Sequence, residues 1–137
     1  MPQYWILKSE PNDYSYDDLV SDGGTVWDGV RNNLALKHLR AMHEGDRALV
    51  YHTGKEKALV GEARITSAPY PDPQGEDPRL VVVDLEPVRR LDRAVPLADI
   101  KAREDLADLG LVRIGRLSVV PATAEQWNRL LAMGRGE

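Results

Sequence analysis

The sequence predicts an α+β fold, a small barrel-like sheet of mostly antiparallel strands flanked by short helices. Short apolar, branched runs recur along the chain with turn residues between them, which is hairpin order rather than a β-α-β rhythm. Helical patterns are inserted among these runs instead of alternating with them. No glycine-rich phosphate loop opens a helix, so neither nucleoside-triphosphate chemistry nor a dinucleotide cofactor is expected.

The elements follow in order. Tyr4 to Lys8 is aromatic and branched and reads as a strand, which Pro11 ends by denying a ladder donor and holding Glu10 extended. Ser15 and Asp18 suit the start of a short helix running to about Val20, closed by Asp22-Gly23-Gly24. Leu34 to Met42 has the helical period, with Gly45 just beyond. Arg47 to His52 and Ala58 to Ile65 form a hairpin. Residues 68–78 hold four prolines and form a stiff, irregular excursion. Arg79 to Glu86 is the most apolar strand and the spine of the sheet. Val95 to Lys101 and Glu104 to Leu109 read as two short helical pieces. Arg116 to Pro121 is a last strand, and Thr123 with Gln126 makes a capping box for a terminal helix ending at Gly134, with Trp127 on its core face.

A chain of 137 residues is expected to form one domain, 1–137, with a core large enough to need no metal or disulfide. It has no cysteine, and His38, His43 and His52 show no ligand spacing, so neither a metal nor a cofactor is expected. No charged segment leads into an apolar one at the start, and no apolar run reaches membrane length. A cytoplasmic monomer without a membrane partner is the expectation. The net charge of −4 argues against affinity built on neutralising many phosphates. The local basic groups Lys37, His38 and Arg40, then Arg89, Arg90 and Arg93, then Arg113 and Arg116, read as solvated surface.

The stretch from Thr25 to Asn33 reads as neither a regular strand nor a regular helix. It carries an indole, two carboxamides, a guanidinium and a carboxylate. Gly29 frees the backbone to turn, and Asn32 or Asn33 can cap the helix that follows. A rigid turn with an aromatic plate suits a planar ligand; the competing reading makes Trp27 core and the asparagines mere caps.

Five separated motifs bear on that choice: Tyr4-Trp5-Ile6-Leu7-Lys8-Ser9-Glu10-Pro11, Trp27-Asp28-Gly29-Val30-Arg31-Asn32, Gly45-Asp46 with Tyr51-His52, Tyr70-Pro71-Asp72-Pro73 and Arg116-Leu117-Ser118-Val119. In order, and along nearly the whole chain, they closely resemble the EVE domain family. The resemblance implies a PUA-like pseudo-barrel, related to the YTH domains that read methylated adenine in RNA. It also implies binding of modified bases such as 5-methylcytosine or its oxidised forms, in DNA or RNA; a separate reading is a small-molecule or protein-interaction module whose pocket serves a free nucleoside. Thr53 stands where the family pattern leads to a serine.

A base flipped out of its stack offers a flat face and a polar edge, so its pocket needs an aromatic wall and fixed donors and acceptors. The resemblance gives the wall to Trp27 and the edge contacts to Ser9, Asn32 and backbone groups near Leu117 and Ser118. Lys8, Glu10 and Val30 belong to the same pocket, and Tyr51 and His52 close one side or serve as satisfied barrel residues. Arg31, Lys37 and Arg116 are phosphate candidates, with Arg31 alternatively bracing Asp28. The competing class is an enzyme resembling the ASCH-type amidohydrolases, with Lys8, Glu10, Glu62 and Ser118 in the roles of lysine, acid and hydroxyl acting on an acylated nucleoside. No nucleophile–base pair is forced together by spacing, so a binding module without catalysis is the expectation.

Overall fold

The computed structural model describes residues 2–75 and 77–137; position 76, within the proline-rich excursion, lies outside them, as does position 1. The elements run β1 (Tyr4–Ser9), α1 (Tyr16–Asp22), β2 (Thr25–Trp27), α2 (Asn33–Arg40), β3 (Arg47–His52), β4 (Ala58–Ile65), β5 (Tyr70–Pro71), β6 (Val81–Pro96), α3 (Leu97–Lys101), a 3-10 turn (Glu104–Leu106), α4 (Gly110–Arg113), β7 (Val119–Ala122) and α5 (Ala124–Gly134). The main path through the sheet is β2-β6-β4-β3-β1-β7, with β5 added beside β6. Pairing is antiparallel except between β1 and β3, which run parallel, with Lys8 beside Tyr51 and Ser9 beside His52. The expected mostly antiparallel α+β sheet flanked by short helices is therefore present.

Local chemistry explains the helices. Ser15 and Asp18 close a reciprocal capping box on α1, and Thr123 and Gln126 do the same for α5. Asn32 caps α2 through Oδ1, which accepts from Ala35 N–H at 3.0 Å. Asn33 is instead the first residue of that helix, and its side chain accepts from Arg79. α1 is fixed to the sheet by its first residue: Tyr16 is buried, and its hydroxyl donates to the Glu62 carbonyl at 2.6 Å. Its ring covers Gly61 so closely that a Cβ there would overlap it.

Three expectations are corrected. Thr25–Trp27 is a strand, because its backbone ladders with β6, Trp27 facing Val83; only the residues after it are irregular. β6 continues through Pro96 rather than stopping at Glu86. Its second half is rich in exposed charged residues, which hid it, and the ladder to β4 holds it extended, with Arg89 opposite Glu62 and Val95 opposite Leu59. Pro87 is tolerated there because it sits at a register shift. In the third case, the helical piece after Glu104 shrinks to a 3-10 turn, and α4 follows from Gly110 to Arg113. No side chain caps α4 and its first residue is glycine, so the sequence carried no start signal for it.

The core lies between the curled sheet and the helices, with Ile6, Leu7, Leu36, Leu49, Val83 and Trp127 all buried. Three strands separate β1 from β2 along the sheet, yet both contribute to one cavity. The sheet must therefore curl towards a barrel, bringing the C-terminal end of β1 opposite β2.

Candidate nucleic-acid interface

At that meeting point lies a cavity of about 530 Å3, within the range of roughly 300–1,000 Å3 usual for small-ligand sites. β1 brings Lys8 and Ser9, and the turn after it brings Glu10, Asp13 and Tyr14. β2 brings Thr25, Val26 and Trp27, and the irregular segment beyond it adds Asp28, Gly29 and Val30. Ser118, just before β7, closes the ring. Gly29 has φ +78°, the left-handed region in which other residues are strained, and this turn carries the chain away from the indole towards Val30.

Trp27 is 8% exposed, more enclosed than a residue on an open turn would be. Tyr14 meets it edge-on, with ring centroids 6.4 Å apart and planes at 82°, an arrangement that suits the ring quadrupoles. Among the described residues the Trp27 N–H has no hydrogen-bond partner, and Trp127 Nε1 is the buried side-chain nitrogen left unpaired. The Trp27 N–H is thus not among the sealed, unpaired groups of the core.

The polar lining divides into committed and free groups. Ser9 Oγ donates to the Tyr14 carbonyl. The Glu10 carboxylate accepts from Asn12 N–H at 2.6 Å and Asp13 N–H at 3.2 Å, so it builds the turn. Lys8 Nζ donates to the Gly115 carbonyl at 2.8 Å and lies 5.7 Å from the centre of the Tyr51 ring; burial pulls its ammonium below the ordinary lysine range. Asp13 and Asp28 are exposed at the mouth, and among the described residues their carboxylates accept no hydrogen bond and pair with no cation. Tyr14 donates its hydroxyl to Asp22 at 2.7 Å, and burial followed by that neighbouring carboxylate raises its ionisation above the ordinary phenol range.

A second cavity of about 450 Å3 shares Lys8, Ser9, Glu10 and Ser118 with the first. Tyr51 and Arg116 line this one. The sequence-named residues therefore split. Lys8, Ser9, Glu10, Trp27, Val30 and Ser118 line the first cavity, while Tyr51 and Arg116 belong to the second. Leu117 is buried core, and its N–H is spent on the Ile114 carbonyl; the Ser118 carbonyl accepts from Lys8 N–H at 3.0 Å. Asn32 lies outside both linings with its oxygen used as the helix cap, because a cap must point back along its own helix. Arg31 and Lys37 are exposed outside both cavities, and Arg31 forms no ion pair with Asp28 among the described residues. His52 is a braced scaffold group. Its Nε2 accepts from Tyr16 N–H at 3.0 Å, which leaves the proton on Nδ1, 2.7 Å from Glu56. Asp13, Tyr14 and the residues lining the second cavity from α3 and α4 were missed, since only the folded chain brings them to the two cavities.

Of the set named for amide hydrolysis, Lys8, Glu10 and Ser118 line both cavities, whereas Glu62 does not join them. Glu62 is buried, bound by Arg47 at 2.6 Å, and absent from both linings. Among the described residues no cluster of acidic and histidine side chains has the makings of a metal site.

A curled seven-stranded sheet with an aromatic-walled cavity where its ends approach defines a PUA-like module. The chain belongs to the EVE domain family, whose sequence model matches residues 3–133. It is 32% identical to chicken (Gallus gallus) thymocyte nuclear protein 1 over 95% of this chain and 68% of that protein. Among solved structures it resembles Rpa0253 from Rhodopseudomonas palustris at 44% identity and TM-score 0.91, covering 96% of this chain and 92% of that one. It resembles the human THYN1 protein in complex with 5-methylcytosine-containing DNA at 31% identity and TM-score 0.91, covering 98% and 99% of the two chains. A solved ASCH structure from Zymomonas mobilis, at 11% identity and TM-score 0.60 over 96% of this chain and 95% of that one, shares the fold alone. No helix among the described residues is long and apolar enough to cross a membrane. The expected cytoplasmic location finds no support in relatives named as nuclear proteins.

Proposed function

We propose that the chain binds, as a monomer, a modified cytosine of the 5-methylcytosine class in DNA, swung out of its stack into the first cavity. One observation carries this reading: Trp27 lines a cavity large enough for a base, beside two carboxylates that are unpaired among the described residues. Stacking on an indole contributes about 1–3 kcal/mol per base, which offsets much of the cost of unstacking. Asp13 and Asp28 are acceptors, and the 4-amino group of cytosine is a donor, whereas thymine presents an acceptor at the same place. Val26 and Val30 offer apolar surface for a 5-methyl group, worth roughly 0.8 kcal/mol when buried. DNA is preferred to RNA because the human relative's structure contains DNA.

Single strands differing only in cytosine, 5-methylcytosine, 5-hydroxymethylcytosine or thymine at one position, titrated at fixed salt, test the reading. The 5-methylcytosine strand should bind about tenfold or more tighter than the thymine strand, and the Asp13→Asn/Asp28→Asn double variant should narrow that gap. Equal affinity for all four strands contradicts it.

A further inference from the structure

The second cavity has a different chemistry from the first. The first is lined by three carboxylates and one ammonium, the second by four cationic side chains and one carboxylate, that of Glu10. Its inner surface is apolar, formed by Tyr51, Leu97, Leu111 and Val112. Lys57, Lys101 and Arg116 are exposed at its rim, and none of the three forms an ion pair among the described residues. Unpaired cations around an apolar hollow suit a ligand with a small, weakly polar body and an anionic end. A sugar phosphate has that form.

The neighbourhood narrows the choice further. Lys8, Ser9, Glu10 and Ser118 form a partition lining both cavities, so an occupant of the second lies one side chain away from an occupant of the first. Backbone charges along a stacked strand recur about every 3.4 Å of rise, so a base held in the first cavity brings a phosphate within reach of the second. Arg31 and Lys37 line neither.

We propose that the second cavity binds the sugar phosphate adjoining the held base, with the phosphate oxygens on Lys57, Lys101 and Arg116. The proposal rests on the base-binding reading of the first cavity and adds a polarity to it. Because the second cavity adjoins the first on one side only, across the partition, the phosphate on one side of the base is gripped in preference to that on the other.

Amide NMR titrations of the full chain separate the two readings. Deoxyribose 5-phosphate should shift Gly54, Lys57, Leu97, Lys101 and Gly115 while leaving Thr25 to Val30 unmoved; 5-methyl-2′-deoxycytidine should do the reverse. Of the 3′- and 5′-monophosphates of that nucleoside, one should bind about tenfold or more tighter than the nucleoside itself. The triple variant Lys57→Gln/Lys101→Gln/Arg116→Gln, confined to exposed positions, should erase the gain without changing nucleoside affinity. The sugar-phosphate titration decides even where the nucleoside fails to bind: shifts in the second cavity then uphold this site while the base reading falls. Deoxyribose phosphate leaving these residues unmoved, inorganic phosphate binding equally well, or a gain that survives in the triple variant overturns the proposal.

Discussion

Trp27 and Trp127 are the same side chain put to two uses. Trp127 is 1% exposed, stacked on Tyr4 with ring centroids 4.9 Å apart, and lies beneath the Arg47 guanidinium at 5.2 Å. Even its N–H is enclosed without a partner among the described residues, a loss the surrounding packing outweighs. Trp27 packs into the same core cluster but also lines a cavity, and its N–H is not among the sealed, unpaired groups. Both are buried by area, so burial alone does not tell scaffold from site. What separates them is whether a packing partner is missing from part of the ring.

That contrast is exposed to experiment at several strengths. Trp127→Ala should be the most damaging substitution, costing about 3–5 kcal/mol in chemical denaturation, because every face of the ring loses contacts. Trp27→Ala should fall below that range; equal losses would merge the two tryptophans into one class. Gly61→Ala should come next, at about 1–3 kcal/mol, since the added methyl meets the Tyr16 ring and must push α1 off β4. Ligand affinity per folded molecule should be unchanged, because Gly61 lines neither cavity.

Asn32→Ala should cost about 1 kcal/mol by removing the α2 cap, with base binding intact. An affinity loss there beyond twofold would return Asn32 to the site. The smallest expected effect is that of salt. With a net charge of −4 and one phosphate held by the cations at the second cavity, log affinity for single strands against log salt should have a slope of about −0.7. A much steeper slope would mean a broad phosphate track outside the cavities.

Most of the fold was legible because its signals are local. The capping boxes at Ser15 and Thr123, the helical period before Met42 and the branched runs of β1, β3 and β4 each depend on neighbours in sequence. The elements that escaped depend on distant partners. The charged half of β6 is a strand because β4 pairs with it, and β2 because β6 does. The site followed the same rule. Trp27, Ser9 and Ser118 were named through motif resemblance and do share a cavity, whereas Asp13 and Tyr14 face Trp27 only after the sheet curls. Asn32 and His52 were named through the same motifs, yet the Asn32 oxygen is used as a helix cap and His52 Nε2 accepts from the amide of Tyr16.

The affinity of Trp27→Ala for a 5-methylcytosine-containing strand, measured beside wild type at a temperature where both are folded, tests the central claim most directly. The account predicts a loss of about tenfold or more, matching the 1–3 kcal/mol of one base stacked on the indole, in a protein whose amide spectrum still shows the native sheet. Wild-type affinity in the folded variant would contradict it, and would make Trp27 a second Trp127.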